Sequence, residues 1–130
     1  MRLSLFPRIG GMVFATLLCQ QTAIAQAEGA EVYEVRDLYN TCATAPDSPE
    51  YITASYACLA FIGGAVQYHD AVSDRKHLKR LICYPQGATV TDGRDAFVAW
   101  GKKNLENEER MGEIAVIGLV RALAEKYPCK

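Results

Sequence analysis

The pattern of apolar and polar positions after residue 30 predicts four helices joined by polar loops. The first helix is expected to begin at Glu31, and its apolar positions recur at helical spacing. These positions are Val32, Val35, Tyr39 and Cys42. No segment combines the strict alternation and the turn residues that are typical of a β-hairpin. The sequence therefore predicts a single, small all-α domain of four helices.

The longest apolar stretch is Ser48–Val72, which we expect to be the second helix and the centre of the fold. Ser48 is the predicted N-cap, and Pro49 occupies the first helical position. Nearly every position from 51 to 66 is apolar, and a helix without a wide polar stripe is normally buried on most sides. We therefore expect the other helices to cover this one, with the Gly63–Gly64 step used for packing.

Two further helices follow a break at Pro85 and Gly87. Thr89 and Asp92 have the T-x-x-D spacing of a capping box at the start of the third helix. The apolar face of the third helix consists of Phe97, Trp100, Gly101 and Leu105. The apolar face of the fourth helix consists of Val116, Leu119, Val120, Leu123 and Tyr127. Pro128 ends that helix.

The first 25 residues have the three regions of a secretory signal peptide. Arg2 and Arg8 supply the positive charge, residues 11 to 19 are apolar, and small residues precede a cleavage site after Ala25, with Ala27 as the alternative. The predicted domains are therefore 1–25, the signal peptide, and 26–130, an exported helical domain in the periplasm. Without Arg2 and Arg8, twelve basic residues face fifteen acidic ones, a net charge of −3. This balance argues against a nucleic-acid partner, and we expect no stable membrane insertion after cleavage.

Four cysteines remain after the signal peptide, and an even number in a small exported protein predicts two disulfides. They are separated by gaps of 16, 25 and 46 residues, which do not match the close pairs of zinc sites. A short connection makes the third and fourth helices antiparallel neighbours, which places Cys83 beside Cys129. Cys42 and Cys58 then form the other pair.

Catalytic chemistry has little support in the sequence. His69 and Asp70 resemble a base and its orienting carboxylate, but adjacent helical residues are not expected to face each other. His77 lies in a charged, solvated segment. The motifs of serine hydrolases, zinc proteases and P-loop proteins are absent from the sequence. We therefore expect no catalytic residue, no metal site and no cofactor, and we expect the domain to act by binding rather than as an enzyme.

Four motifs together resemble a known family. They are Leu38-Tyr39-x-x-Cys42, Cys58-x-x-Phe61-Ile62-x-Gly64, Cys83-x-Pro85-x-Gly87-x-Thr89 and Tyr127-Pro128-Cys129. In this order the chain resembles the Rap/Tai family of type VI secretion immunity proteins. The resemblance implies a small periplasmic helical protein that binds and neutralises a secreted, cell-wall-degrading effector of the peptidoglycan amidase class.

The resemblance also directs attention to the turn between the last two helices, which varies in the family and can contribute to effector contact. Here Asn104 and Leu105 stand where relatives often have a His-Pro pair. We interpret this polar turn as the candidate element that occludes the effector. The candidate partner-binding residues are Asn104, Glu106, Asn107, Glu108, Glu109 and Arg110.

Two other interpretations of the sequence stay open. One is a small periplasmic acid-stress chaperone, a class of protein that has a helical architecture and a disulfide in common with this chain. Such a chaperone would expose apolar surface to a hydrophobic dye at about pH 3. The other is that the chain also binds a second copy of itself and forms a homodimer.

Overall fold

The structure, a computed structural model, describes residues 32–130 and contains five helices in this part of the chain. They are α1 (Val35–Cys42), α2 (Tyr51–Lys76), α3 (Val90–Asn104), α4 (Glu108–Met111) and α5 (Ala115–Lys126). The described residues form no strand beyond two isolated bridges, so the all-α prediction is confirmed. The additional element, α4, is a single turn of helix within the predicted connection between the last two long helices. The predicted signal peptide and its cleavage sites lie outside the described residues.

The eight-residue helix α1 is the centre of the fold, because it packs against each of the other four helices. Val35 and Leu38 are fully buried, and Cys42 is nearly so. The helix begins after Glu34, whose backbone N–H donates to Asp37 Oδ2 at 3.0 Å. That carboxylate sits in the first turn, where it caps the helix and complements the positive end of the helix dipole.

Two glycines let α1 approach its neighbours closely. A Cβ atom on Gly101 of α3 would lie 2.4 Å from the ring of Tyr39, and one on Gly118 of α5 would lie 2.3 Å from Val35 Cγ2. Both distances are far inside normal van der Waals separation, so only glycine fits at these positions. The prediction that Gly101 belongs to the core face of its helix is confirmed, since this residue is buried.

Backbone hydrogen bonds fix the start of α1 against the start of α5. The N–H of Val35 donates to the carbonyl of Glu113 at 2.9 Å, and the N–H of Ala115 donates to the carbonyl of Tyr33 at 3.0 Å. These bonds satisfy polar groups that the helix ends would otherwise leave unpaired. They also hold Val35 over Gly118.

The expectation that the long helix is buried on most sides is wrong. Only Cys58, Ile62 and Ser73 of α2 are buried, because this helix lies at the edge of the domain and packs mainly against α1 and α3. Its opposite face is open, and Ile52, Tyr56 and Tyr68 are 65%, 74% and 72% exposed.

The ends of α2 also differ from the prediction. The helix begins at Tyr51, two residues later than Pro49, and it continues through Lys76, four residues past the expected end at Val72. His77 ends it in the left-handed conformation, with φ of 51°.

The predicted capping box at the start of α3 is confirmed. Thr89 Oγ1 accepts a hydrogen bond from the N–H of Asp92 at 3.2 Å, and Asp92 Oδ2 accepts one from the N–H of Thr89 at 2.8 Å. On α5 the buried face is rotated from the predicted one. Val116 is 39% exposed, whereas Gly118 is buried against α1.

Both predicted disulfides are present. Cys42–Cys58 joins the end of α1 to α2 with a Cα–Cα distance of 5.1 Å, and Cys83–Cys129 joins the segment before α3 to the end of the chain with a distance of 5.0 Å. The N–H of Cys83 also donates to the carbonyl of Tyr127 at 2.9 Å. The antiparallel packing of α3 and α5 therefore produces the predicted pairing.

Candidate functional site

All six predicted partner-binding residues lie in one short connection that includes the end of α3 and α4. Asn104 is the last residue of α3, and its Nδ2 donates to the carbonyl of Trp100 at 2.8 Å. Arg110 Nη1 donates to Asn104 Oδ1 at 3.1 Å across the connection. This pair closes the loop on itself and fixes its width.

The N-cap of the one-turn helix α4 is Asn107, whose Oδ1 accepts a hydrogen bond from the N–H of Arg110 at 3.1 Å. Asparagine is a favoured N-cap because its side chain satisfies such a backbone donor. Met111 ends the helix and is fully buried in the core. The connection is thus anchored at both ends, which predicts a well-defined shape rather than a freely moving loop.

The side chains of this connection divide into two groups. Asn104 and Arg110 are half-buried and hold the loop together, whereas the remaining candidates are exposed: Glu106, Asn107, Glu108 and Glu109. Glu108 also contacts the core helix, because Arg36 Nη2 donates to its Oε2 at 2.7 Å. The acidic surface available to a partner therefore centres on Glu106 and Glu109. We call the segment 104–111 the acidic turn.

Three grooves lie on the surface of the described residues. One, of about 530 Å³, runs between α3 and α5 and reaches Asn104 at one end. A second, of about 470 Å³, lies between α3 and the loop that follows α1. The third, of about 410 Å³, is apolar and is lined by exposed Tyr33, Tyr68 and Ile114 with half-buried Phe61. Sequence reasoning missed the apolar groove, because its walls come from distant parts of the chain that the Glu34–Ile114 bridge brings together.

The sequence model of the Rap1a immunity proteins matches residues 34–129, which include all five helices and both disulfides. The chain belongs to the Rap1a immunity protein family. Membership makes this an immunity protein whose partner is a secreted effector. Comparisons with curated proteins and with solved structures found no match.

The matched part of this Rap1a family member includes a histidine whose geometry corrects the sequence interpretation. The expectation that His69 and Asp70 cannot face each other is wrong, since His69 Nδ1 lies 2.9 Å from Asp70 Oδ1. His69 Nε2 accepts a hydrogen bond from the N–H of Leu81 at 3.2 Å, which assigns the ring proton to Nδ1 as the donor to Asp70. The histidine therefore joins α2 to the segment that follows it, so its contacts are structural.

Charged residues surround the contact between His69 and Asp70. Arg80 Nη2 donates to Asp74 at 2.9 Å, and Arg80 Nη1 lies 3.6 Å from Asp70. Burial, and secondarily the negative charge of Asp70, raise the pKa of the Tyr84 hydroxyl to about 12. Tyr84 is therefore neutral at physiological pH.

Residues 32–130 of this Rap1a family member contain neither a cluster of metal ligands nor a helix suited to span a membrane. Within this range, histidine, cysteine, aspartate and glutamate side chains form no group of three that could hold a metal ion. No helix in the same range combines the length and hydrophobicity that a membrane span requires.

Proposed function

We propose that this protein is a periplasmic immunity protein that binds a secreted cell-wall-degrading effector of the amidase class and blocks its active-site cleft with the acidic turn. The observation that carries the proposal is the anchored acidic turn, in which exposed carboxylates stand on a fixed backbone. The protein acts by occlusion and performs no catalysis of its own.

A fixed turn suits an inhibitor because association costs less when the binding element is already ordered. The Asn104–Arg110 hydrogen bond, the Asn107 cap and buried Met111 restrict the acidic turn before any partner arrives. Glu106 and Glu109 then present negative charge at its outer surface. Such charges favour an effector whose cleft rim is basic, and they speed association by electrostatic steering.

The proposed location is the periplasm, and the proposed route of the effector is type VI secretion by neighbouring cells. The signal sequence predicted for residues 1–25 and the two disulfides support an oxidising compartment outside the cytoplasm. Membership of the Rap1a family supports an immunity role rather than the acid-stress chaperone that the sequence left open.

The test screens the genes beside this protein's own for a secreted cell-wall hydrolase and uses the enzyme found there. The hydrolase is directed to the periplasm with either the wild-type immunity protein or the double variant Glu106→Lys and Glu109→Lys. We expect the wild type to restore growth and to abolish amidase activity on purified peptidoglycan. The double variant should bind about tenfold to 100-fold more weakly, because two rim charges are reversed.

Two controls make the result specific to the acidic turn. Glu125→Lys reverses an exposed charge on α5 and should leave protection unchanged. Glu108 is left intact, since its reversal would also break the ion pair with Arg36. Thermal unfolding should be nearly the same for all variants. Full protection by the double variant would overturn the role of the acidic turn, and absence of binding by the wild type would overturn the amidase assignment.

A further inference from the structure

The apolar groove is bordered by large apolar side chains that are mostly exposed. Tyr33, Tyr68 and Ile114 stand at its rim, and Val116 continues the apolar surface onto the first turn of α5. None of the described residues that line the groove is charged. A continuous apolar surface around a groove of about 410 Å³ usually marks an interaction site.

The walls of the groove are fixed before any partner arrives. The N–H of Ala115 donates to the carbonyl of Tyr33 at 3.0 Å, which joins the wall before α1 to the wall at the start of α5. The N–H of Tyr33 in turn donates to Asp37 Oδ2 at 3.3 Å. Glu113 is held by Arg121, whose Nη2 donates to its two carboxylate oxygens at 2.7 and 3.0 Å. A surface that is already ordered loses less conformational freedom when a partner binds.

The apolar groove lies beside the acidic turn. The acidic turn ends at Met111 and Ile114 follows three residues later, so their Cα atoms are at most about 11 Å apart. The ion pair between Arg36 and Glu108 fixes the acidic turn against α1, and the residues just before α1 form the opposite wall of the groove. The acidic turn and the groove therefore belong to one ordered part of the molecule.

A protein that binds the acidic turn is large enough to cover the groove as well. A standard protein–protein interface buries about 800 Å² on each partner, which corresponds to a disc with a radius of about 16 Å. An effector centred on the acidic turn therefore extends past Ile114, because that residue is at most about 11 Å from Met111. The position of the groove thus favours the effector as its occupant.

The acidic turn and the groove suit different steps of binding. Charges at the edge of an interface act mainly on the association rate and on its dependence on salt. Buried aromatic and apolar contacts near the centre of an interface hold a complex together, and tyrosine is enriched among them. Differences in affinity between variants of one interface arise mostly in the dissociation rate. The exposed carboxylates of the acidic turn therefore supply steering, whereas the groove supplies an anchor.

We propose that the apolar groove is a second docking site for the same effector and accepts an aromatic or long aliphatic side chain of that effector. This inference rests on the proposed function, because it takes its partner from there. The matching effector surface has an exposed apolar side chain next to the basic rim of its cleft. The acidic turn then sets the rate at which the complex forms, and the groove sets the rate at which it dissociates.

The test measures the binding kinetics of the hydrolase used in the growth test, by surface plasmon resonance at two salt concentrations. The double variant Tyr33→Ser and Ile114→Ser removes two side chains from the rim without a change in charge. Ile114 is the N-cap of α5 but its side chain makes no capping hydrogen bond, and serine is favoured at such a position, so the fold should be kept. We expect the dissociation rate to rise about tenfold to 100-fold. The association rate and its salt dependence should stay within about twofold of the wild type.

The matched control is the double variant Leu78→Ser and Leu81→Ser, which removes two apolar side chains of comparable exposure. These leucines lie near the other end of α5, because neighbouring Ile82 forms a bridge with Pro128. The length of α5, about 18 Å, separates that end from the groove. We expect wild-type kinetics for this control. Equally fast dissociation of the control and of the groove variant would overturn the proposal.

The outcomes separate this inference from the proposed function. Absence of binding by the wild type would overturn the proposed function and the inference with it. Binding by the wild type together with unchanged dissociation of the groove variant would overturn the inference alone. A photoreactive benzoylphenylalanine in place of Ile114 identifies the occupant directly and should crosslink to the hydrolase. A crosslink only to a second copy of this chain in the presence of the hydrolase would overturn the inference.

Discussion

Replacement of Gly118 by alanine tests the packing of α5 against the core helix. The new Cβ would lie 2.3 Å from Val35 Cγ2 and 3.0 Å from Cγ1, against an ordinary contact distance of 3.4–4 Å. The helices cannot separate easily, because the hydrogen bonds from Val35 to Glu113 and from Ala115 to Tyr33 hold them together. Overpacking of this kind costs about 1–3 kcal/mol. Here we expect a cost of about 3 kcal/mol, since the new Cβ would clash with both methyl groups of Val35.

Alanine also has a higher helix propensity than glycine by about 1 kcal/mol. The net destabilisation expected for Gly118→Ala is therefore about 2 kcal/mol, which corresponds to a decrease in Tm of about 8–16 °C for a domain of this size. Urea unfolding followed by circular dichroism measures the free energy directly. The measurement is made with the disulfides intact.

Gly63→Ala is the matched control, because its Cβ would lie at an ordinary 3.9 Å from Val90. This change should stabilise the protein by about 1 kcal/mol. Adding Val35→Ala to the Gly118→Ala variant removes the two closest contacts and leaves only the contact with the Cβ of residue 35, at 3.2 Å. The double variant should therefore be more stable than the sum of the single effects by at least about 1 kcal/mol. A Gly118→Ala protein as stable as the wild type, or strictly additive effects, would refute this explanation.

Two further predictions concern covalent and electrostatic stability. Replacing Cys83 and Cys129 by serine should lower the free energy of unfolding by about 4 kcal/mol, and removing the shorter-loop disulfide should cost about 3 kcal/mol, both measured by urea unfolding. The hydrogen bond from the Thr89 side chain, and then that from its backbone, lower the pKa of Asp92 below the ordinary value of 3.8. The ionised Asp92 therefore stabilises the folded protein fully above pH 3.8, and this stabilisation is lost as the pH falls through the lower pKa of the folded state. We expect Asp92→Asn to weaken the dependence of the free energy of unfolding on pH below about pH 4. An unchanged acid limb would contradict this assignment.

Local signals in the sequence were sufficient for much of the fold. Cysteine count and the antiparallel arrangement of the last helices were enough to pair Cys83 with Cys129. The T-x-x-D spacing placed the start of α3, because a capping box depends on residues only three apart. Such features could be predicted because each depends on few distant contacts.

The sequence misled where tertiary placement decides the outcome. Apolar composition suggested that α2 was central, but the eight-residue α1 is the helix that contacts all the others. Apolar atoms contribute roughly 55–60% of the accessible surface of a folded protein, so an uncharged helix is not necessarily a buried one. The ion pair between Arg36 and Glu108 joins residues 72 positions apart, and no local pattern could have revealed it.

Both disulfides link cysteines that follow one another among the described residues, the first with the second and the third with the fourth. The two covalent loops are therefore separate in the chain and do not enclose each other. On the export route proposed above, a chain that is oxidised in the order in which its cysteines leave the export channel forms the native bonds directly. We expect maturation of this protein to require a disulfide-forming oxidase but no disulfide isomerase.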